Sequence, residues 1–422
     1  MNEPLSSIST ESLARALFER SIVDQDWPPD VLRELVHRAT SDDHDLAKAA
    51  SGAFFREVVE RNCDLFDPEA TRGYARLFAH VLAEVLPQYS ADGLLSRYQR
   101  IRRAGRYSRE PKRVCVLSRV TLGADIAVTS TVLAAAKQRF PKAEICFAGP
   151  AKNAEMFSAD PDVTPIIVPY GRSGLLREKL AASETLIGLV NAPGTLIIDP
   201  DSRLTQLGLV PVCAEENYLF FESRAYGGDS SLALAELTAQ WLGETLQVGD
   251  AHPYLAPASI PSAAEITISL GVGENAEKLV SPELERQAVE KLVSFGSRVA
   301  IDRGAGGEEA VRVESLVSEL GYPPNLQVHN GSFAAFASQI ARSRLYFGYD
   351  SAGQHIAAAS AVPLVTVFAG YAAERTYQRW KPSGRGPIHI VKVDRRELQA
   401  ISETVRQTLD AIILAAEAAG LS

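Results

Sequence analysis

The sequence contains few cysteines and no cysteine motif. Four cysteines occur in 422 residues, at Cys63, Cys115, Cys146 and Cys213, and none belongs to a Cys-x-x-Cys pair. No cluster of histidines accompanies them, so a zinc site is not expected. Cys115 and Cys146 fall in apolar runs, which predicts buried thiols. Because nothing indicates a disulfide framework, we expect a reduced, cytoplasmic protein.

Long apolar runs and an excess of positive charge are also missing. No run approaches the roughly 18 apolar residues of a membrane-spanning helix, and the first residues do not resemble a signal peptide. The 43 Lys and Arg are outnumbered by 52 Asp and Glu, which gives a net charge of −9. This balance argues against a protein that coats nucleic acid or an anionic membrane. The composition, with 46% hydrophobic and 23% charged residues, is that of a globular protein.

The pattern along the chain predicts three regions. Residues 1–108 show apolar spacings of three and four, which predict an all-helical N-terminal domain. Over 109–255, short apolar runs alternate with helix-periodic segments, and the same alternation returns over 262–395 after a proline-rich linker. A last helix is expected in 396–422. The fold class is therefore α/β, with two tandem, doubly wound Rossmann-like domains behind a helical domain.

Apolar runs with β-branched residues mark the predicted strands. In the first α/β domain they are 113–118, 143–148, 165–169, 195–198, 209–212 and 218–221, and in the second 265–270, 298–301, 326–328, 345–348 and 364–368. Because ligands of such folds bind at the carboxyl ends of the strands, the residues that follow each strand are the candidates for a site.

The most informative residues follow the run 345–348, at the start of a predicted helix. They include Asp350, Ser351, Ala352, Gly353 and His355. Free backbone N–H groups at a helix start bind anions, and a glycine allows close approach. Ser351 adds a hydroxyl, and His355 lies one turn further on the same face, so this stretch could hold a diphosphate. An ordinary helix cap with a packed histidine explains the same pattern.

Two more loops of the second α/β domain carry candidates. The glycine-rich turn 304–309 contains Glu308 and Glu309, and either carboxylate could accept hydrogen bonds from both hydroxyls of a ribose. Gly271 follows another strand, and Lys278 beyond it could neutralise phosphate, although a lone lysine is more often a surface charge. The turn is not a Walker loop, and the first α/β loop lacks the Gly-x-Gly-x-x-Gly of dehydrogenases.

The first α/β domain offers acidic candidates. Asp125 precedes a helix and fits either an N-cap or a general base at the cleft. The Asp199–Asp201 stretch resembles the Asp-x-Asp metal motif of one glycosyltransferase fold, but a turn explains it, so no metal is predicted. By their positions at strand ends, Arg172, Asp199 and Arg203 are candidates for the acceptor side.

Taken together, three stretches resemble the heptosyltransferase family, glycosyltransferase family nine, which has the GT-B fold of two Rossmann-like domains. They are 122–145, 271–278 with 304–309, and 348–370. The last is the most specific, because its Asp-Ser-Ala-Gly-Gln-His looks like the family's Asp-Ser/Thr-Gly-x-x-His donor motif. The similarity covers about residues 112–395.

The resemblance implies an inverting transferase that moves a sugar, a heptose in the family, from a nucleoside-diphosphate donor to a hydroxyl of a glycan, lipid or protein. Asp125 would be the catalytic base, Lys278 would contact the donor phosphates, and Glu308 or Glu309 would hold the ribose. Residues 350–355 would hold the diphosphate without a metal or a further cofactor.

Other interpretations stay open. The chain could be a nucleotide-sugar epimerase of similar architecture, or a non-catalytic scaffold that binds a partner protein through its helical domain. Arg375, Arg379 and Trp380 follow the last predicted strand, and either substrate contacts or structural ion pairs and packing fit them. No nucleic-acid partner is expected.

Overall fold

The computed structural model describes residues 4–23, 25–103, 105–171, 174–260, 264–273, 275–304, 306–394 and 401–421. The first hundred or so are helical. The helices are α1 (Thr10–Ser21), α2 (Pro29–Ala39), α3 (His44–Ala53), α4 (Arg61–Leu65), α5 (Pro68–Val85) and α6 (Ala91–Ile101). Polar side chains cap several of them, as Asp67 does for α5, where its carboxylate accepts from the backbone N–H groups of Glu69 and Ala70.

The helices of this domain pack tightly against one another and against the first sheet. At the crossing of α1 and α5, a Cβ on Gly73 would lie 1.7 Å from the backbone oxygen of Ser21, so only glycine fits there. A π-helical stretch, Phe54–Glu60, connects α3 to α4. The apolar side chains of the domain share one core with the face of the first sheet that carries Cys115 and Ile197. The helical domain is therefore built onto the α/β part of the molecule.

The first α/β domain contains a parallel sheet in the order β3-β2-β1-β4-β5. Its strands are β1 (Arg113–Leu117), β2 (Glu144–Gly149), β3 (Val163–Ile167), β4 (Thr195–Asp199) and β5 (Tyr218–Phe220). Its helices are α7 (Leu122–Ala124), α8 (Ser130–Arg139), α9 (Ala151–Ala154), α10 (Leu176–Val190) and α11 (Leu234–Leu246). A π-helical stretch, Asp125–Thr129, joins α7 to α8.

The second α/β domain contains a parallel sheet in the order β11-β10-β9-β6-β7-β8. Its strands are β6 (Ile266–Ser269), β7 (Val299–Asp302), β8 (Leu326–His329), β9 (Leu345–Tyr349), β10 (Leu364–Phe368) and β11 (Ile388–Lys392). Its helices are α12 (Pro282–Ser294), α13 (Gly307–Glu319), α14 (Phe333–Ala341), α15 (Ala352–Ala359), α16 (Glu374–Trp380) and α17 (Ile401–Ala418). The expected fold class, two Rossmann-like domains behind helices, is confirmed.

Several details differ from the sequence prediction. Residues 209–212 form no strand, because Gln206, Leu207 and Gly208 all have positive φ and turn the chain, while Leu209 and Val210 are buried in the loop that follows. The edge strand β11 and the short helix α16 were not predicted. In the described ranges, no helix combines the length and the apolarity needed to cross a membrane.

Candidate functional site

A cleft of about 450 Å³ lies where the carboxyl ends of the two sheets face each other. Loops that follow β1, β2 and β4 form one side, and loops that follow β6, β7 and β9 form the other. The helical domain forms part of the wall through Glu60, Cys63, Asp64 and Phe66. Because ligands of open parallel sheets bind at this edge, the cleft is the candidate site.

The stretch predicted to hold a diphosphate lies in this cleft. Ser351 precedes α15 and makes no side-chain cap, so its hydroxyl is not used to close the helix. Lys278 donates from Nζ to the carboxylate of Asp350 at 2.7 Å and to its backbone oxygen at 2.9 Å. These residues line the cleft together with Ala352, Gly353 and His355. The helix start, the hydroxyl and the ammonium group thus face the same space.

His355 is buried beside this helix start and is held neutral. Burial lowers its pKa to about 4; the Asp350 carboxylate opposes that shift and Lys278 adds to it. The imidazole packs edge-on against Trp380 with 6.0 Å between the ring centroids. A neutral imidazole donates one N–H, so His355 offers a hydrogen bond rather than a positive charge.

Of the two adjacent glutamates, only Glu309 belongs to the cleft. Its carboxylate lies between two glycine loops, since a Cβ on Gly271 would come within 2.3 Å of its Oε1 and one on Gly304 within 2.1 Å of its Cδ. Glu308 is exposed and does not line the cleft. The structure therefore separates two residues that the sequence left as alternatives.

The loop after β1 touches the donor-side helix directly. A Cβ on Gly123 would lie 3.2 Å from the Cδ2 of His355 and 3.3 Å from the Cα of Ala352. Glycine at this position therefore lets the two α/β domains meet at the start of α15.

Asp125, expected to be the base, does not reach the cleft. Its carboxylate is fully buried and accepts hydrogen bonds from the hydroxyls of Ser118 and Thr129, the backbone N–H of Arg119 and the amide of Asn153, each at 2.6 Å. Burial raises its pKa while these four donors lower it. In this arrangement Asp125 ties the loop after β1 to the helix that follows; its role as a base stays a prediction.

The three acceptor-side candidates have different positions. Asp199 is fully buried and does not line the cleft. Its carboxylate accepts hydrogen bonds from Ser202, Thr205 and Tyr218, and burial raises its pKa to about 6. Arg203 lines the cleft and lies 3.8 Å from Glu60. Arg172 lies outside the described residues. The expectation that Asp199 faces an acceptor is therefore not met by this arrangement.

Asp201, in the same turn, pairs with a buried arginine. It has a φ of 71° and accepts from the backbone N–H of Arg224 at 3.2 Å and from its Nε at 3.0 Å. With Asp199 buried on other partners, the Asp-x-Asp stretch forms a structural turn. In the described part of the chain, no group of three or more His, Cys, Asp or Glu side chains is arranged to hold a metal ion.

Sequence reasoning missed several residues of the cleft. Arg119 and Lys152 follow β1 and β2, so their positions at strand ends could have indicated them. Asp64 and Glu60 come from the helical domain, where no motif or strand end marks them. Only the packing of that domain against the cleft reveals them.

The residues of α16 divide into structural and cleft-lining groups. Arg375 pairs with Asp67 of the helical domain and Asp229 of the first α/β domain, and Arg379 is bound to backbone oxygens of 228–232. Both therefore fit the structural alternative. Trp380 lines the cleft beside His355.

Comparison with known proteins gives a match in structure alone. No protein-family model matches the chain, and no curated protein matches its sequence. Among solved structures, a family 9 glycosyltransferase of Veillonella parvula shares 16% identity, covers 75% of this chain and 98% of its own, and has a TM-score of 0.55.

Two Escherichia coli proteins are similar to the same degree. The heptosyltransferase WaaC, solved with ADP-2-deoxy-2-fluoro heptose, shares 17% identity over 71% of this chain and 99% of its own, with a TM-score of 0.54. ADP-heptose LPS heptosyltransferase II shares 16% identity over 72% of this chain and 98% of its own, with a TM-score of 0.52. The structural resemblance to family 9 heptosyltransferases is thereby confirmed, and the chain has their GT-B fold.

Proposed function

We propose that this protein is a glycosyltransferase that transfers a sugar, with inversion, from a nucleoside-diphosphate donor to an acceptor hydroxyl. The observation that carries this proposal is the donor side of the cleft, where the start of α15, the hydroxyl of Ser351, which does not cap the helix, and Lys278 meet. Such a group of donors suits a diphosphate. In the GT-B fold this side lies opposite a second domain that could present an acceptor.

Each part of a donor has a matching group. The carboxylate of Glu309, between its two glycine loops, suits the two hydroxyls of a ribose. As the bond between sugar and diphosphate breaks, the leaving group gains negative charge. Lys278 and the N–H groups at the start of α15 would stabilise that charge, and His355 would donate one hydrogen bond. No metal is needed in this scheme, and a chelator is expected to leave activity unchanged.

The proposal also concerns the identity of the donor sugar, its nucleobase and the acceptor. WaaC was solved with ADP and with an ADP-heptose analogue, so ADP and a heptose are the first donor components to test here. The acceptor would be a glycan, lipid or protein hydroxyl. A reduced, cytoplasmic setting, as the cysteine pattern predicts, suits a soluble nucleotide sugar.

The proposal is tested by calorimetric titration of the protein with ADP, UDP, GDP and CDP. We expect saturable binding of one diphosphate. Because Glu309 lies in the cleft and Glu308 does not, Glu309→Gln should weaken this binding by about tenfold, the loss expected for hydrogen bonds to a charged group. Glu308→Gln, the same change one residue away, should leave the affinity unchanged.

The outcomes separate the alternatives. Binding of none of the four nucleotides by folded protein would contradict the transferase and favour the scaffold interpretation. Conversion of a nucleotide sugar to its epimer, with no acceptor present, would indicate an epimerase. Equal affinities in the two glutamine variants would remove Glu309 from the donor site.

A further inference from the structure

The helical domain contributes one wall of the cleft. Its contribution is Glu60 and the end of α4, and this helix stops before Phe66, a buried residue with a φ of 50°. Phe66 packs edge-on against Trp380 at 5.8 Å, and Thr376 donates a hydrogen bond to the backbone oxygen of Asp64 at 2.5 Å. The segment is thus fixed against α16 of the second α/β domain, and its side chains have defined positions in the cleft.

Asp64 is the acidic side chain that this segment presents to the cleft interior. The residue is exposed and lines the cleft. Among the described residues, none pairs with or donates a hydrogen bond to its carboxylate. Asp125 differs in both respects, since it is sealed from solvent and accepts from four donors.

Charged groups from both sides of the cleft act on Asp64. Arg203 lies on the acceptor side, Lys278 and Asp350 lie on the donor side, and Glu60 belongs to the helical domain, as Asp64 does. Desolvation by the protein that surrounds the cleft raises the pKa of Asp64 to about 6; Arg203 and Lys278 oppose that shift, and Glu60 and Asp350 add to it. The adjacent Cys63 thiol, whose pKa burial raises, stays neutral. Asp64 is therefore mostly ionised at neutral pH and accepts a proton readily.

We propose that Asp64, supplied by the helical domain, is the general base of the transfer reaction. This inference rests on the proposed function. The Asp64 carboxylate takes the proton of the acceptor hydroxyl while that oxygen forms a bond to the anomeric carbon. The bond between that carbon and the diphosphate oxygen breaks, and the diphosphate leaves with the electron pair beside Lys278. Asp64 then returns its proton to water.

The experiment compares wild type with Asp64→Asn and Asp45→Asn. Asp45→Asn is the control, because it makes the same chemical change on a fully exposed side chain of the helical domain. The first readout is the affinity for whichever of ADP, UDP, GDP and CDP binds best, between pH 5 and 8. An ionised Asp64 near Lys278 repels a diphosphate, so Asp64→Asn should bind about three- to tenfold more tightly at pH 8 and equally at pH 5. Comparing variants at each pH cancels the titration of the nucleotide itself.

The second readout is release of that nucleotide from its sugar donor, ADP-heptose first, with water as the acceptor. Asp64→Asn should lower the rate by about 10²–10⁴-fold and abolish a decline below about pH 6 that wild type shows. Asp64→Glu should restore part of the rate, and Asp45→Asn should match wild type.

Each result decides a separate point. An affinity ratio near one at every pH, or an unchanged rate in Asp64→Asn, would overturn the role of Asp64 and leave the transferase standing. Wild type that binds no nucleotide would overturn the proposed function itself. If wild type binds a nucleotide but does not turn over the donor, both the proposed transfer reaction and the role of Asp64 as its base would be contradicted.

Discussion

His355 is a histidine that carries no charge near neutral pH. Its imidazole is only 7% exposed, and burial lowers its pKa to about 4, below the usual value of roughly 6.5. As pH falls below 6.5, the unfolded chain takes up this proton before the folded chain does. The folded state therefore loses stability between about pH 6.5 and 4, and gains nothing from this group above that range.

We predict that the free energy of unfolding falls by about 2 kcal/mol more in wild type than in His355→Gln when the pH is lowered from 7 to 5. The variant lacks the titrating group, so all other groups contribute equally to both proteins. Urea unfolding at the two pH values measures the difference. If the free energy of unfolding falls equally in the two proteins, His355 is protonated in the folded state as it is in the unfolded chain.

Two aspartates show what residue type alone can and cannot indicate. Asp125 stands in a loop that resembles a catalytic motif, and its position after β1 could be read from the sequence. Burial and four hydrogen-bond donors decide whether a carboxylate is available, and neither follows from local sequence. Asp64 has no motif around it, and only its tertiary position makes it a candidate.

At the scale of elements, the start of α15 depends on a missing Cβ. Gly353 lies inside the helix, where alanine is intrinsically better by roughly 1 kcal/mol. A Cβ there would come within 2.1 Å of the Tyr346 hydroxyl oxygen and 2.6 Å of the ring carbon that bears it. The helix can thus lie on β9 only with glycine at this position.

We predict opposite effects for the same substitution in two helices. Gly353→Ala should lower the melting temperature and weaken nucleotide binding, because α15 must shift away from β9. Gly188→Ala in α10, where nothing lies within 4 Å of the added methyl, should raise stability by up to about 1 kcal/mol. Thermal melts and calorimetry measure both. Equal melting temperatures for the two variants would contradict the close packing of Gly353.

Strand prediction succeeded or failed for identifiable reasons. The central strands β1, β4, β6 and β9 are buried on both faces and read as continuous apolar runs, which the sequence shows clearly. The edge strand β11 is only partly buried and carries polar residues, so its pattern is weak. Residues 209–212 are as apolar as a strand, but three preceding residues with positive φ place them in a buried loop.

At the scale of the whole molecule, α16 joins all three domains. Arg379 is 1% exposed and donates to the backbone oxygens of Ser230 at 2.6 Å, Leu232 at 3.0 Å and Gly228 at 2.7 Å. Arg375 forms its ion pairs with Asp67 and Asp229 near the surface. The buried contacts should therefore hold the domains together more strongly than the exposed ones.

We predict that Arg379→Ala destabilises the protein by about 3 kcal/mol or more, because it leaves three carbonyl oxygens without a donor. Arg375→Ala should cost at most about 1 kcal/mol for each ion pair it removes. The midpoint of the first thermal transition and the rate of limited proteolysis would show which of the two variants is destabilised more. A larger effect of Arg375→Ala would show that the exposed pairs, rather than Arg379, hold the junction.

The sequence by itself determined the fold class, the helical region and the donor-side residues 350–355, because hydrophobic periodicity, strand ends and a helix start are local properties. It could not choose between Glu308 and Glu309, since the choice depends on which side chain lies between two glycine loops. It could not show that α4 forms a wall of the cleft either. Contacts between residues some 300 positions apart, such as Asp64 with Thr376, exist only after the three domains pack together.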